Sequence, residues 1–184
     1  HWLVEKLGWW DESYHVPLIV VDPRQESVST RGTVVTEVTE SVDVFPTLCT
    51  WMEAEVPVAA DGRALQPFLH GNGAPADWRT DAHWQWDFRD PVNHLAEDLL
   101  GVTMEQCSLD VVRGPDHKYV HFGTGESLYF DLSDDPNQLA DRSGDPAYRD
   151  AIADARSRLL TWRMRHDDRT LTGHLLTPNG LVVR

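Results

Sequence analysis

Lys6 stands between two apolar stretches, Trp2-Leu3-Val4 before it and Leu7-Gly8-Trp9-Trp10 after it. An ammonium held in such partly dry surroundings binds a developing oxyanion more strongly than one in water, because less solvent screens the attraction. Lys6 is therefore the residue from which chemistry is expected. The plainer alternative is a surface lysine whose stem runs past the tryptophans with its charge in water. Around it the chain offers no self-contained site: G-x-S-x-G, H-E-x-x-H, G-x-x-x-x-G-K-[ST] and G-x-G-x-x-G are all missing from the sequence.

Three further clusters invite a metal reading. His83, Asp87, Asp90 and His94 could converge on an ion, but strict alternation along a strand already explains the first two. His117 and His121 flank an apolar strand and read as polar strand-end residues. The acidic run from Asp131 to Asp135 lacks EF-hand spacing and its glutamate, and reads as a turn leading to a helix.

The elements that would position these residues follow from hydrophobic pattern. Residues 16–21 (Val-Pro-Leu-Ile-Val-Val) form a continuous apolar run, expected to be a strand covered on both faces of a mainly parallel sheet. Residues 33–38 read as a second short β-like run. A helix is expected from Ser41, with Ser41 as N-cap, Asp43 in its first turn, and Val42, Phe45, Leu48, Cys49 and Met52 recurring at three and four residue steps. Residues 65–69 suggest a short helix, and the Gly- and Pro-containing stretch 71–75 a linker. The expected division is therefore 1–75, the end of an α/β core, and 76–184, a smaller C-terminal subdomain.

In that second part Trp84, Trp86 and Phe88 alternate with polar residues, as in a half-buried antiparallel strand. Residues 92–100 suggest a helix. Strands are expected at 107–113, 118–122 and 127–132, with turn residues between them, giving a small antiparallel sheet. The longest helical pattern covers 146–166, with Ile152, Leu159, Leu160 and Trp162 inward. The tail from Thr170 holds six large aliphatic side chains, too apolar to lie free in water, so packing on its own domain or in a homo-oligomer is expected.

Composition narrows the function classes. The chain has 184 residues, 41% of them hydrophobic, and eight tryptophans, which argues for a folded globular class. A formal charge of −14 disfavours nucleic acid and anionic membrane surfaces as partners. No apolar run approaches the roughly 18 residues of a membrane helix. Cys49 and Cys107 belong to no C-x-x-C pair and read as small buried hydrophobes, with a disulfide between them left open. The chain opens on His1, and its first residues read like the inside of a domain.

The stretch from His1 to Pro23 resembles the segment that follows the metal-binding Asp-His-Gly motif of sulfatases, particularly those of the phosphonate monoester hydrolase and arylsulfatase branch. In that resemblance His1-Trp2-Leu3 matches the residues past the glycine turn, Lys6 the catalytic lysine, and Tyr14 with residues 16–21 the following strand. Val42 to Leu48 is similar to the family's D-[ILV]-x-P-T-[LI] helix, Asp61-Gly62-Arg63-Ala64-Leu65 to its D-G-x-S-L turn, and Leu128 to Pro136 to its L-Y-D-L-x-x-D-P. Each motif is weak alone, but their order and spacing cover essentially the whole chain.

The resemblance implies the C-terminal part of an alkaline-phosphatase-like α/β core plus a small antiparallel sheet packed with a helix. It implies hydrolysis of small-molecule sulfate, phosphate or phosphonate esters. It also implies a divalent metal (Mn, Ca, Mg or Zn) and a formylglycine nucleophile made from a cysteine in C-x-P-x-R. Neither Cys49 nor Cys107 begins that motif, so nucleophile and metal ligands are expected upstream of His1 and the fragment alone is expected to be inactive. Lys6 would contact substrate oxygens, with His1 and Tyr14 as neighbouring substrate-side candidates. The other readings are a non-catalytic binding or oligomerisation module, and a phosphodiesterase of the same superfamily. A cytoplasmic location is expected, with the periplasm as the alternative.

Overall fold

The computed structural model describes residues 8–166 and the backbone of residues 174–183. The chain divides into two compact units, His1–Val21 with Arg79–Leu160 and Asp22–Trp78 with Thr161–Arg184.

The first unit is built on a four-stranded antiparallel sheet, β1 (Ala82–Asp87), β2 (Ser108–Arg113), β3 (His117–Phe122) and β4 (Ser127–Asp131), in the order 1-2-3-4. Sequential strands are neighbours throughout, which makes this a meander, and the closely spaced turn residues account for the short β2–β3 and β3–β4 connections. The register sets Val112 beside Tyr119 and Tyr119 beside Tyr129, so the three share one face. The next residues along, Val111 and Val120, point to the opposite face, as the two-residue period of a strand requires.

Each face has its own cover. Val112, Tyr119 and Tyr129 pack against Ile152, Ala155 and Leu159 of the long helix Arg149–His166. Those three helical residues recur at three and four residue steps and form one stripe. Leu160 lies about a quarter-turn away and is 60% exposed, so the expectation that it faces inward fails while Ile152 and Leu159 hold. On the other face Leu109, Val111, Val120 and Phe130 form a core flanked by Trp84, Trp86, Phe88 and Trp9. The alternating Trp84-Trp86-Phe88 side of β1 thus meets the core as expected. Each fully buried aliphatic or aromatic side chain here contributes about 1.5–3 kcal/mol.

A short helix Asp11–Tyr14 precedes the sheet in sequence, and another, Leu95–Leu100, follows β1. The acidic run is a turn: Asp131 accepts the Ser133 amide at 3.0 Å, and Asp135 accepts those of Leu139 and Ala140. Cys107 is wholly buried and Cys49 nearly so; both are free thiols. Burial pushes the Cys107 thiol pKa up, which leaves it unreactive.

In the second unit a 3-10 turn, Ser41–Asp43, runs into the helix Val44–Trp51. The N-cap is Glu40, one residue before the expected Ser41, and it forms a reciprocal capping box with Asp43. Asp43 is completely buried and also accepts the Arg63 amide at 2.7 Å. Thr47 Oγ1 donates to Asp43 O at 2.6 Å and accepts from the Leu65 amide at 2.9 Å. The Asp and Thr of the D-[ILV]-x-P-T stretch therefore hold the Asp61-to-Leu65 loop. Gly62 is needed because a Cβ there would sit 2.0 Å from Val42 O. Asp22 is buried against the Arg24 guanidinium, which holds its carboxyl well below the usual carboxylate range, and it accepts from Trp51 Nε1 at 3.2 Å.

Two expectations for strands fail. Residues 16–21 are extended but pair with no strand among the described residues, and Ile19 is 88% exposed. Residues 33–38 likewise form no strand, with Val34 exposed. An apolar run has the propensity for a strand, whereas a strand exists only where a hydrogen-bonded neighbour exists. The helix Val44–Trp51 buries Pro46, Thr47 and Cys49, while Val42, Phe45, Leu48 and Met52 are exposed. Its periodicity was legible, but its apolar stripe is uncovered among the described residues. The tail pairs His174–Thr177 with Gly180–Val183 as an antiparallel hairpin.

Candidate active site

Trp9, Trp10 and Tyr14 are held on the aromatic face of the sheet. Trp9 packs edge-on against Phe122, with ring centroids 5.4 Å apart and planes at 86°. Trp10 lies 5.2 Å from Trp9 and 6.2 Å from Phe130. Tyr14, at the end of the short helix, stacks on Trp84 at 4.8 Å with an interplanar angle of 20°. Burial pushes the Tyr14 hydroxyl pKa up, so at neutral pH the group is a hydrogen-bond donor. Lys6 and His1 lie outside the described residues.

Beneath this segment sits Lys118, with no exposed surface. Its ammonium donates to Trp9 O at 2.9 Å and to Gln138 Oε1, forms an ion pair with Asp11, and lies 5.4 Å from the centroid of Trp84. Three oxygens face three N–H donors, so Lys118 has no capacity left for a substrate. Asp11 Oδ2 also accepts from Arg113 Nε at 3.2 Å. Burial opposes ionisation of Asp11, but the hydrogen bonds and charges of Lys118 and Arg113 together outweigh it and hold its pKa below the usual value. Burial lowers the Lys118 pKa despite the opposing pull of Asp11. Removing one member of such a buried pair costs about 3–5 kcal/mol, since the other is left charged and alone.

The sequence reading missed Lys118. A signal was available: alternation puts it on the same face as Val120 and Phe122, where a lysine is out of place unless paired.

The other clusters are structural. Asp87 forms a bidentate pair with Arg89, and Asp90 accepts amides of its own turn from Val92, Asn93 and Leu95. His117 is more than a strand-end residue: it is nearly buried, with Nδ1 2.7 Å from Asp116 and Nε2 2.7 Å from Arg158. Arg158 also donates to Asp81 at 2.7 Å, closing a network beside a cleft of about 450 Å3. His121 Nδ1 lies 3.0 Å from the Tyr119 hydroxyl. Among the described residues no group of three His, Cys, Asp or Glu side chains is placed to hold a metal ion. No helix among them is long and apolar enough to cross a membrane.

A family model described as N-sulphoglucosamine sulphohydrolase, C-terminal, matches residues 1–165, and the chain belongs to this sulfatase family. It is 40% identical over all 184 residues to the multifunctional alkaline phosphatase superfamily protein PehA of Trinickia caryophylli, and spans 35% of that protein's length. The structure of phosphonate monoester hydrolase of Agrobacterium radiobacter superposes with a TM-score of 0.88 at 39% identity, over 100% of this chain and 36% of that one. The phosphonate monoester hydrolase of Silicibacter pomeroyi gives a TM-score of 0.74 at 32% identity, covering 83% of this chain and 30% of the other. The α/β fold with its small antiparallel sheet is thus that of the C-terminal region of these hydrolases. This chain spans about a third of the relatives' length.

Proposed function

We propose that this chain is the C-terminal part of a hydrolase of sulfate or phosphonate esters in which Lys6 contacts the oxygens of the attacked group. The observation that carries the reading is the similarity over all 184 residues to PehA, together with a TM-score of 0.88 to a phosphonate monoester hydrolase. A lysine ammonium at that position neutralises the negative charge that gathers on the oxygens of sulfur or phosphorus as a nucleophile approaches, and so favours the transition state over bound substrate. Tyr14 and His1 are the neighbouring candidates for substrate contact, with the Tyr14 hydroxyl protonated and its ring fixed on Trp84.

A divalent metal and a formylglycine nucleophile belong to this reading. The described residues do not fit either: no metal-binding group is assembled among them, and both cysteines are buried outside any C-x-P-x-R motif. The reading places both groups in the part of the protein preceding His1, and the chemistry assigned to this chain rests on Lys6. The reading also gives a role to the exposed apolar stripe Val42, Phe45, Leu48 and Met52, as the face that the rest of a longer protein covers. That same stripe favours a second reading, a binding or assembly module, in which a separate chain covers it.

The test is turnover of an aryl sulfate and a phenylphosphonate monoester by the full-length protein, with a phosphodiester as the third substrate. Lys6→Ala is expected to lower kcat by about 100-fold or more with little change in thermal midpoint. Undiminished kcat in that variant would remove Lys6 from the reaction. The 184-residue chain alone, supplied with manganese or calcium, is expected to give no turnover. Turnover abolished by Lys6→Ala would show that the chain carries its own nucleophile.

A further inference from the structure

His117 is nearly buried at the start of β3, and both of its ring nitrogens have partners. Nδ1 lies 2.7 Å from Asp116 Oδ1, and Nε2 lies 2.7 Å from Arg158 Nη2 on the long helix. A guanidinium has no lone pair to offer, so it can only donate. Nε2 is therefore the bare nitrogen, Nδ1 carries the hydrogen, and the imidazole in this arrangement is neutral. Asp81, also nearly buried, accepts from Arg158 Nη1 at 2.7 Å and from the Thr80 hydroxyl at 3.3 Å, both through Oδ2. Its other oxygen, Oδ1, is enclosed with no hydrogen-bond partner and stands 3.7 Å from His117 Nε2. Enclosed carboxylate oxygens without a donor are rare in folded proteins, and each one calls for a reason. The donor missing here is a proton on His117 Nε2.

That proton would set N–H against N–H and cation against cation at the Arg158 contact, which could not survive it. The ring has no room to retreat. A Cβ on Gly114 would fall 2.1 Å from His117 Cε1 and 2.7 Å from Asp81 Oδ1, so both groups are seated against that backbone. The guanidinium does have room: its Nε pairs at 2.9 Å with Asp154, one turn back along the helix, whose side chain is 67% exposed and lines the cleft beside the network.

We infer that His117 is a proton-operated latch between the long helix and the sheet: neutral, it holds the Arg158 guanidinium; protonated, it gives its new hydrogen to Asp81 Oδ1 and releases Arg158 towards Asp154. The release opens the cleft of about 450 Å3 that His117 and Arg158 both line. It does not detach the helix, which Ile152, Ala155 and Leu159 keep on the sheet. Around His117, among the described residues, the charged groups are Asp81 ahead of β1, Asp116 in the β2–β3 turn, and Arg158 and Asp154 on the helix. Asp131, its register neighbour on β4, is engaged by the Ser133 amide and the Tyr148 hydroxyl. Burial pushes the Tyr129 hydroxyl pKa up, so that group stays uncharged at neutral pH.

The experiment is an NMR titration of the full-length protein with isotope-labelled histidine and arginine, from about pH 8 to about pH 5, the span in which imidazoles change charge. At the upper end His117 is expected as the Nδ1–H tautomer, with an Arg158 Nη–H signal protected from exchange. That arginine signal is expected to be lost with the same midpoint as the His117 ring titration. In His117→Gln, which keeps an acceptor that cannot titrate and also assigns the ring signals, the Arg158 signal is expected to persist throughout. Asp81→Asn is expected to move the His117 midpoint to lower pH by about half a unit or more, and Arg158→Ala to move it higher by a similar amount. An Nε2–H tautomer in the neutral ring, an Arg158 signal that survives the titration, or the same loss in His117→Gln would each overturn the inference. So would an unmoved midpoint in Asp81→Asn. Should that variant not fold, Arg158→Ala, at a side chain 35% exposed, carries the test: an unmoved midpoint there means that His117 never held the guanidinium.

Discussion

Asp43 Oδ1 accepts the backbone N–H of Arg63 at 2.7 Å while its Oδ2 accepts that of Glu40 at 2.8 Å. One fully buried carboxylate therefore starts a helix and anchors a loop twenty residues downstream. Asp43→Ala leaves both amides without this acceptor and is expected to destabilise by about 2–4 kcal/mol. Asp43→Asn, which keeps one acceptor oxygen, should lose less. Thermal midpoints of the two variants check the order.

Gly62 sits against the same turn, with the place of a Cβ only 2.0 Å from Val42 O and 2.4 Å from Val42 C. These are backbone atoms that cannot swing aside. Gly62→Ala is expected to destabilise by about 2 kcal/mol or more. Combined with Asp43→Ala the losses should fall short of their sum, because both loosen one contact. Denaturant midpoints of the single and double variants measure this.

A pH dependence follows from the chain Arg156, Tyr119, His121. Arg156 Nε–H donates to Tyr119 Oη at 3.0 Å, and the same hydroxyl lies 3.0 Å from His121 Nδ1. Burial, reinforced by the Arg156 charge and opposed by Asp110, holds the His121 pKa below 6.5. The unfolded state then binds the proton more readily than the folded one. Stability from this group is full above the unfolded pKa and declines as pH falls through 6.5 towards the lowered folded value. His121→Gln is expected to flatten the slope of thermal midpoint between about pH 7.5 and about pH 5.5, with the imidazole titration read by NMR.

Arg158 joins the long helix to Asp81 at 2.7 Å and to His117 at 2.7 Å. Asp81 is nearly buried, so solvent screens this pair less than an open surface bridge. A cycle between Arg158→Ala and Asp81→Asn is expected to give a coupling of about 1–2 kcal/mol. A coupling near zero would mean that the helix is held by Ile152, Ala155 and Leu159 alone.

The four strands of the sheet, the long helix and the inward side of β1 were legible because their signals are local. Period-two alternation and turn residues place a strand, and a three-to-four residue step places a helix, without knowledge of any partner. The same locality misled at residues 16–21 and along Val42, Phe45, Leu48 and Met52, where composition predicts burial and no described element provides the cover. Leu160 failed for a related reason: a helix buries only the stripe that its neighbour reaches.

By itself the sequence determined the family and the succession of elements in the antiparallel sheet. Only the tertiary structure decided that Lys118 is a buried clamp on Trp9 and Asp11, and that Asp43 reaches across to Arg63. Lys118 and Asp11 are 107 positions apart in sequence. Such contacts are set by how sheet faces and loops meet in space, and no local pattern of residues encodes which two distant groups will share one oxygen and one proton.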